Sequence, residues 1–523
     1  MDQPWNPADW RPTVYAAHLT NPPSAEYVRQ NGDEIRWFTG CIIETPYDPE
    51  IWYSRAVRLL NLGYPELAVG DAYKATLLVD AGLDYYSSLG ERVRLHFGMS
   101  LWYHNNRKPS DAELFDPILM HQLLRTVRKS TYRVMVSSLA LIHAHTDTKT
   151  VCQMALRKFH IDGFLVRSLG TAIDRLREKG HTIGAKLEES KVAPTEKQVE
   201  YELRNGLVLM RPYPWIPAEY LRRDQALIDA LNGELKTYGP RCKIRPSFVK
   251  PSPRSEVGGV KTAPDNLGVF ATRAIPNGER VFLDISPAGA HLTKARNVCE
   301  NCGGGLPLTP LTLQCCSTAV FCSPKCRELA LTHYHSSLCG KDFSWIYADT
   351  KSTATHIPDM RPPTLLRLLA MCVHQDVHPF QLPAIARLMP SYDADHPSGW
   401  LMQGNLVMPI RILQALGVDV FADLRYDTWV IQTMWWRCKN NMSVDIDSDA
   451  PITTLGPFYS FVNHSCEPNV HWKSSQSSTL ELKALRNIKK GEELYTSYLP
   501  DGMDKEQRRK WLNQWLGRDC ACA

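Results

Sequence analysis

The chain has 523 residues, a hydrophobic content of 44%, a charged content of 22% and a formal net charge of +5 at pH 7. This composition is ordinary for a globular protein, the length predicts about three domains, and the absence of a long basic block argues against direct nucleic-acid binding. No apolar run reaches the length of a membrane span, and the first residues lack the features of a secretory signal. Fifteen cysteines in such a chain favour reduced thiols or metal ligands. We therefore expect a protein of the nucleus or cytoplasm that is neither secreted nor membrane-bound.

The first half of the chain is predicted to be helical after an irregular start. Residues 1–45 are rich in Pro, Asn and Trp without periodicity, whereas residues 46–240 carry apolar residues at helical spacing. Large and small residues occupy the packing positions of a tetratricopeptide repeat at Trp52, Ala56, Leu59, Gly63, Ala68, Ala72 and Ala75. Only one good copy is present, so an ordinary helical hairpin remains an alternative. Further helices, expected to cover this hairpin or to follow it, lie near 114–146, 151–178 and 217–237.

A linker and a pair of strands follow. Residues 241–264 contain Gly, Pro and Ser throughout and are predicted to be a linker. Residues 266–282 indicate two short strands joined by a Pro-Asn-Gly turn into a hairpin, within a segment that we bound at 265–297. Gly268 leaves room for a ligand to approach the backbone.

Residues 298–340 concentrate eight candidate zinc ligands in a short, Gly-containing segment: Cys299, Cys302, Cys315, Cys316, Cys322, Cys326, His335 and Cys339. Thiolate and imidazole are the ligands that zinc prefers, and eight of them suffice for two tetrahedral sites. A segment this short has little hydrophobic core, so metal binding would supply much of its folding free energy. His333 is an alternative to His335, although the spacing to Cys339 favours His335.

The sequence pattern of the remaining residues predicts a helical insert followed by a β-rich part. Residues 341–440 read as all-helical and end at two asparagines, Asn440 and Asn441. Residues 441–499 contain a predicted strand over 458–462, a turn over 463–469 and a second strand over 480–485. Residues 500–523 carry a polar helix and a terminal pair of cysteines, Cys520 and Cys522.

The order Asn463-His464-Ser465-Cys466-x-Pro468-Asn469, followed by Gly491-Glu492-Glu493-Leu494-x-x-x-Tyr498, resembles the C-terminal half of the SET-domain methyltransferases. The cysteine cluster resembles the MYND zinc finger. We therefore expect an α+β multidomain chain: an N-terminal all-α, TPR-like domain, then a β-rich SET fold split by a MYND zinc finger and a helical insert, with residues 500–523 as a partial post-SET segment. Helices in front of the SET part resemble the arrangement of fungal relatives.

The resemblance implies transfer of a methyl group from S-adenosylmethionine to a lysine side chain of a protein, either a histone or another protein. It implies that Tyr498 is the central catalytic residue. Tyr495 and Phe461 are candidate walls of the lysine channel, although core packing is the favoured role for Phe461. The resemblance also implies a set of cofactor-binding residues, namely Gly268, Phe270, Asn440 (with Asn441 as a close second match), Ser460, Asn463 and His464.

The resemblance further implies how the metal ligands pair. Cys299, Cys302, Cys322 and Cys326 would share one zinc, and Cys315 or Cys316 would join His335 and Cys339 around a second. A third zinc would lie between Cys466, Cys520 and Cys522.

Two departures from the family pattern stand out. Cys315 and Cys316 are adjacent where the family has Cys-x-x-Cys, and Arg518 stands where an aromatic residue usually faces the cofactor.

These departures leave two alternatives open. The chain could be a SET/MYND adaptor without activity, which recruits protein partners through its zinc finger and its N-terminal helices. It could also be a methyltransferase with a non-protein or dedicated pathway substrate. Binding of S-adenosylmethionine to the purified protein would distinguish the first alternative from an enzyme.

Overall fold

A computed structural model describes residues 24–105, 116–159, 162–189, 203–221, 223–248, 256–257, 260–261, 266–286, 288–291, 298–347, 361–390, 393–445, 452–474, 477–499, 503–505, 507–509 and 512. Within these ranges no helix is both long and apolar enough to span a membrane.

The N-terminal part is helical, as predicted. Its helices are α1 (Ala25–Glu44), α2 (Pro49–Asn61), α3 (Pro65–Leu83), α4 (Ser88–Asn105), α5 (Pro117–Leu141), α6 (His145–Phe159) and α7 (Gly163–Glu189). Local chemistry explains where α2 and α5 begin, because Asp48 and Asp116 each accept hydrogen bonds from the first turn and a proline follows each of them. The prediction of an irregular start up to residue 45 is wrong for 25–44, where α1 forms behind a Ser24 cap.

Helices α2 and α3 form the predicted antiparallel hairpin. The turn between them contains Gly63 at φ 76°, a backbone conformation that glycine adopts without steric cost. Ala68 and Ala75 are completely buried, and their small side chains allow close packing of the neighbouring helices. Helix α5 covers α3, and the hydroxyls of Thr76 and Thr131 meet across that interface at 3.2 Å.

Strands and helices alternate in the remainder of the chain. The central elements are β1 (Gly206–Met210), α8 (Gln225–Tyr238), β2 (Cys242–Pro246), β3 (Glu256–Val257), β4 (Val260–Lys261), β5 (Leu267–Ala271), β6 (Arg280–Ile285) and β7 (Ala290–His291). The cysteine-rich segment forms β8 (Leu311–Leu313), β9 (Cys316–Phe321), α9 (Pro324–His333) and α10 (His335–Leu338). The insert contains α11 (Arg361–Gln375), α12 (Pro383–Ala386), β10 (Asp393–Trp400), a π-helical turn over Gln403–Val407, α13 (Met408–Leu416) and α14 (Thr428–Lys439). The last strands are β11 (Ser443–Asp445), β12 (Ile452–Thr454), β13 (Asn463–His464), β14 (Val470–Ser474), β15 (Thr479–Ala484) and β16 (Tyr495–Thr496).

Strand pairing differs from two predictions. Strands β5 and β6 do not pair with each other: β5 pairs with β2, and β6 pairs with β15. The expected hairpin is therefore wrong, and β2, inside the predicted linker, belongs to the sheet. Strand β10 pairs antiparallel with β1, so neither the insert nor the segment before residue 240 is wholly helical. Both errors have one cause, since long-range partners decide which extended segments pair.

Two hydrophobic cores hold the molecule together. The first joins the N-terminal helices to the insert and includes Trp52, Leu368 and Trp436. The second lies between α8 and the small sheets and includes Ile228 and Leu482. The segment predicted as a strand at 458–462 is instead a 3-10 helix over Tyr459–Phe461, whose aromatic residues fill this second core.

Candidate functional site

The two sequence motifs meet through β13 and β16. These strands pair in parallel, with Asn463 opposite Tyr495 and His464 opposite Thr496. Asn469 joins the two motifs by hydrogen bonds. Its side-chain oxygen accepts from the Tyr495 backbone N–H at 2.7 Å, and its amide donates to the Glu493 carbonyl at 2.8 Å. The turn and the second motif thus form one unit, although about thirty residues separate them in the chain.

Tyr498 points into this junction. Its hydroxyl donates to the carbonyl oxygen of Val462 at 2.8 Å, one residue before Asn463. Burial raises the pKa of the Tyr498 phenol above its ordinary value. The phenol therefore keeps its proton near neutral pH, and that proton is committed to Val462. A ligand can therefore interact with this oxygen only as a hydrogen-bond donor to its lone pairs.

His464 supports Tyr498 from the other side. The His464 Nδ1 atom accepts from the backbone N–H of Tyr498 at 3.1 Å. Burial lowers the pKa of His464 to about 4. A neutral ring that accepts at Nδ1 carries its proton on Nε2, which lies 3.5 Å from the sulfur of Cys466.

A buried carboxylate, Glu493, holds Asn463 in place. Its Oε1 atom accepts from the Asn463 amide at 2.9 Å and from the Ser247 hydroxyl at 2.6 Å, and its Oε2 atom accepts from the Tyr495 hydroxyl at 2.8 Å. A side chain at Gly268 would collide with this carboxylate. Glycine is therefore required here by Glu493 itself. Sequence reasoning assigned no role to Glu493 or Ser247, although two adjacent glutamates after Gly491 were visible.

Asn440 and Asn441 have different environments. Asn441 donates to the carbonyl oxygens of Arg437 at 2.7 Å and Met389 at 2.9 Å, so its amide fastens the end of α14. In the described part of the chain, both polar atoms of the Asn440 side chain are buried without a hydrogen-bond partner. The Ser460 hydroxyl is in the same condition. Buried polar atoms are normally paired, so these residues fit the binding of a polar ligand.

The predicted wall residues lie in the core near the junction. Phe270 is buried under the Arg245 guanidinium, 3.8 Å above its ring centroid. Phe461 is buried in the second core. Strand β5, which carries Gly268 and Phe270, runs beside residues 491–494 and exchanges backbone hydrogen bonds with them. The structure therefore brings the first strand next to the second motif.

The first predicted metal set is assembled. The sulfur atoms of Cys299, Cys302, Cys322 and Cys326 all lie within 4.8 Å of one another. Ser323 caps α9 by accepting from the Cys326 N–H at 3.2 Å, which places Cys322 and Cys326 on one side of the helix start. Four thiols this close suit a tetrahedral structural zinc.

The second set gathers Cys315, His335 and Cys339 within the same distance. The Cys315 sulfur lies 3.5 Å from His335 Nε2. Burial and the nearby His374 lower the pKa of His335, which favours the neutral ring that binds metal. Cys316 lies outside this set and contacts the Thr318 hydroxyl at 3.1 Å.

The third predicted metal set is only partly visible. Cys466 is found beside His464, whereas Cys520, Cys522 and Arg518 lie outside the described residues.

Comparison with known proteins agrees with this geometry. Residues 266–499 match the family model of the SET domain. The chain is 24% identical over 225 residues to a SET and MYND domain-containing protein of Dictyostelium discoideum, covering 40% of this chain and 63% of the relative. It is 41% identical over 68 residues to the histone-lysine N-methyltransferase SMYD3 of Homo sapiens, covering 13% of this chain and 16% of the relative. It is also 41% identical over 64 residues to the histone-lysine N-methyltransferase SET5 of Yarrowia lipolytica, covering 12% and 15%.

The motif junction and the cysteine-rich insert both lie within residues 266–499, the segment that matches the SET-domain family model. The predicted fold class is confirmed, with helices in front and strands behind. The predicted resemblance to SET-and-MYND proteins is also confirmed. The chain spans less than two thirds of the length of each of these relatives.

Proposed function

We propose that this protein transfers a methyl group from S-adenosylmethionine to a lysine side chain of a protein substrate, either a histone or another protein. The observation that carries the proposal is the Tyr498 hydroxyl, half-buried and held 2.8 Å from the Val462 carbonyl beside the Asn463 turn. The names of the relatives point the same way, since two of them are called histone-lysine N-methyltransferases.

Asn440 and Ser460 are the side chains best suited to hold the methyl donor, because their buried polar atoms have no partner in the described ranges. Gly268, Phe270, Asn463 and His464 form the surrounding wall in this proposal. S-adenosylmethionine supplies a methyl group activated by a positively charged sulfur. The protein holds the methyl donor and the lysine amine in line and in contact. Most of the rate acceleration comes from this orientation.

Tyr498 acts by orientation and does not act as a base. Its raised pKa and its hydrogen bond to Val462 keep the phenol protonated, so it does not remove a proton from the lysine. Its remaining lone pairs accept a hydrogen bond from the amine and fix its direction. The lysine must arrive neutral, and a narrow apolar channel disfavours the charged form.

Zinc has a structural role in this proposal. The Cys299 set and the Cys315 set offer seven clustered ligands in a segment with few core residues, so two zinc ions would fold it. The folded finger and the N-terminal helices are the proposed contact surfaces for protein partners.

The test uses the full chain without modification. Calorimetry should detect binding of S-adenosylmethionine, and a radiolabelled donor should label lysine in either purified histones or whole-cell lysate, with methyl-lysine identified after acid hydrolysis. A chain that binds zinc but neither binds the donor nor labels lysine would support the adaptor alternative instead.

A further inference from the structure

Arg223 has no anionic partner among the residues that the structure describes. It lies just before α8, and its guanidinium is positioned over the Phe461 ring, 5.7 Å from the centroid. Among the residues that the structure describes, Arg223 makes no hydrogen bond or ion pair, and its Nε atom is buried without an acceptor. A guanidinium that is largely withdrawn from water normally pairs with an anion, because an unpaired charge in such a place is destabilising.

A second arginine, Arg437, lies close enough to Arg223 for the two charges to interact. Arg437 on α14 is fully buried and donates to the carbonyl oxygens of Tyr220 at 2.5 Å and Ile385 at 3.4 Å. Burial and the Arg437 cation together lower the pKa of Arg223 to about 10. Two guanidinium groups thus act on the same buried region, which makes that region attractive to a negative charge.

Two carboxylates on neighbouring elements have partners other than Arg223 among the described residues. Glu234 on α8 forms two hydrogen bonds with Arg387, at 3.0 and 3.4 Å. Asp284 accepts from the backbone N–H groups of Phe458 and Tyr459, at 3.0 and 2.6 Å. The Oδ1 atom of Asp284 has no hydrogen-bond partner in the described ranges, but neither carboxylate forms an ion pair with Arg223 there, so neither supplies its counter-ion.

The arginine pair borders the proposed transfer site. Phe461, under Arg223, directly precedes Val462, whose carbonyl accepts the Tyr498 hydroxyl. Arg437 lies three residues before Asn440, so both residues lie on the same side of the end of α14. An anion bound by Arg223 would therefore lie next to Phe461, the residue that precedes Val462.

We infer that Arg223, backed by Arg437, binds a carboxylate at the transfer site. Two ligands could present this group: the methyl donor, through its amino-acid end, or the protein substrate, through an acidic side chain near the target lysine. The planar guanidinium suits a carboxylate because it can form two parallel hydrogen bonds. Arg223 lies outside the matched SET segment 266–499, so a residue in front of the domain would complete its site. This inference rests on the proposed function.

The first experiment compares donors. Calorimetry would measure the affinity of the wild-type chain, Arg223→Met and Arg223→Lys for S-adenosylmethionine and for its decarboxylated analogue. If the donor supplies the carboxylate, the wild type prefers S-adenosylmethionine by roughly 10- to 100-fold, Arg223→Met loses this preference, and Arg223→Lys retains part of it. Arg175→Met serves as the control, because Arg175 is exposed and pairs only with Glu178 among the residues described.

The second experiment compares substrates. Methylation would be followed on lysine peptides that carry either glutamate or glutamine next to the lysine. If the substrate supplies the carboxylate, the wild type shows a lower KM for the glutamate peptides, Arg223→Met does not, and donor affinity is unchanged by the substitution.

A third readout separates binding from a merely structural role. Because Arg223 loses no ion pair or hydrogen bond within the described part of the chain, Arg223→Met should melt at the same temperature as the wild type or higher. A wild type that binds the donor, together with an Arg223→Met variant that matches it in both comparisons, overturns the inference alone. A wild type that neither binds nor transfers overturns the proposed function as well.

Discussion

Arg55 of α2 donates from Nη2 to the carboxylate of Asp427 at 3.1 Å, across 372 positions of the chain. The same guanidinium binds Asp71 at 2.7 and 2.8 Å, and Lys74 approaches Asp427 at 3.5 Å. All four side chains are buried. Asp427 also caps α14 by accepting from the Thr428 N–H. Hydrogen bonds and ion pairs thus connect the N-terminal helices to the start of α14, the helix that Asn440 follows.

Asp427→Asn should destabilise the whole chain. Removal of one charge from a buried network leaves Arg55 and Lys74 under-compensated, and we expect the free energy of unfolding to fall by about 3–5 kcal/mol. Thermal and urea unfolding measure the loss. Asp174→Asn is the control, because Asp174 is exposed and pairs with Arg177 on the helix surface. Equal stability of the two variants would contradict a role for the network.

Asn440→Ala should mainly weaken donor binding, whereas Asn441→Ala should mainly lower stability. Asn440 has no partner to lose among the described residues, so its removal should leave the melting temperature nearly unchanged and weaken binding of S-adenosylmethionine by roughly tenfold. Asn441 fastens α14 through two hydrogen bonds, so its removal should lower stability by about 1–2 kcal/mol and affect affinity less. Calorimetry and melting curves on both variants provide the test, and the reverse pattern would assign the donor to Asn441.

Tyr498→Phe should separate binding from turnover. The substitution removes the oxygen that would direct the amine, and misorientation at a reacting centre costs roughly 100-fold in rate. Affinity for the donor should change little, and stability should fall by about 1 kcal/mol because Val462 loses a hydrogen bond. Radiolabelled methyl transfer and calorimetry measure both quantities. Tyr86→Phe is the control, since Tyr86 is fully exposed, and unchanged turnover in Tyr498→Phe would remove this tyrosine from the mechanism.

The purified chain should contain at least two zinc ions. Elemental analysis of the wild type measures the number, and Cys326→Ser should lower it by about one while reducing stability, because the Cys299 set loses a ligand. Cys152→Ser, a buried cysteine in α6, should leave the zinc content unchanged. Fewer than one zinc per wild-type chain would contradict both sites.

Asp284 should make stability depend on pH. Burial raises its pKa to about 7, whereas an aspartate in an unfolded chain titrates near pH 4, at about 3.9. The folded state therefore holds the extra proton between these values. The contribution of Asp284 to the free energy of unfolding is full below about pH 4 and is lost as the pH rises through 7.

Asp284→Asn, which cannot ionise, reports this contribution directly. Relative to the wild type, the variant should gain up to about 1.4 kcal/mol per pH unit between pH 5 and 7 and then level off. Urea unfolding from pH 5 to 8.5 measures the difference. A difference that stays constant over this range would show that Asp284 is already ionised in the folded chain at pH 5.

Short-range patterns determined several features of this protein by themselves. The cysteine spacings of 299–339, the turn at 463–469, the Gly491 motif and the helices α2 and α3 were all visible in the sequence. Each of these depends on neighbours within a few residues, through capping, turn conformation or ligand spacing, and such interactions are encoded locally.

Only the tertiary structure decided which distant groups meet. Strands β5 and β6 pair with other strands, Glu493 fills the space beside Gly268, and Arg223 lies over Phe461 with no anion from the described ranges next to it. The same holds for the two asparagines after α14, which are adjacent in sequence but differ completely in hydrogen bonding. The physical reason is that the free energy of folding depends on burial and pairing over the whole chain. Contacts between distant residues therefore override the conformational preference of a short segment.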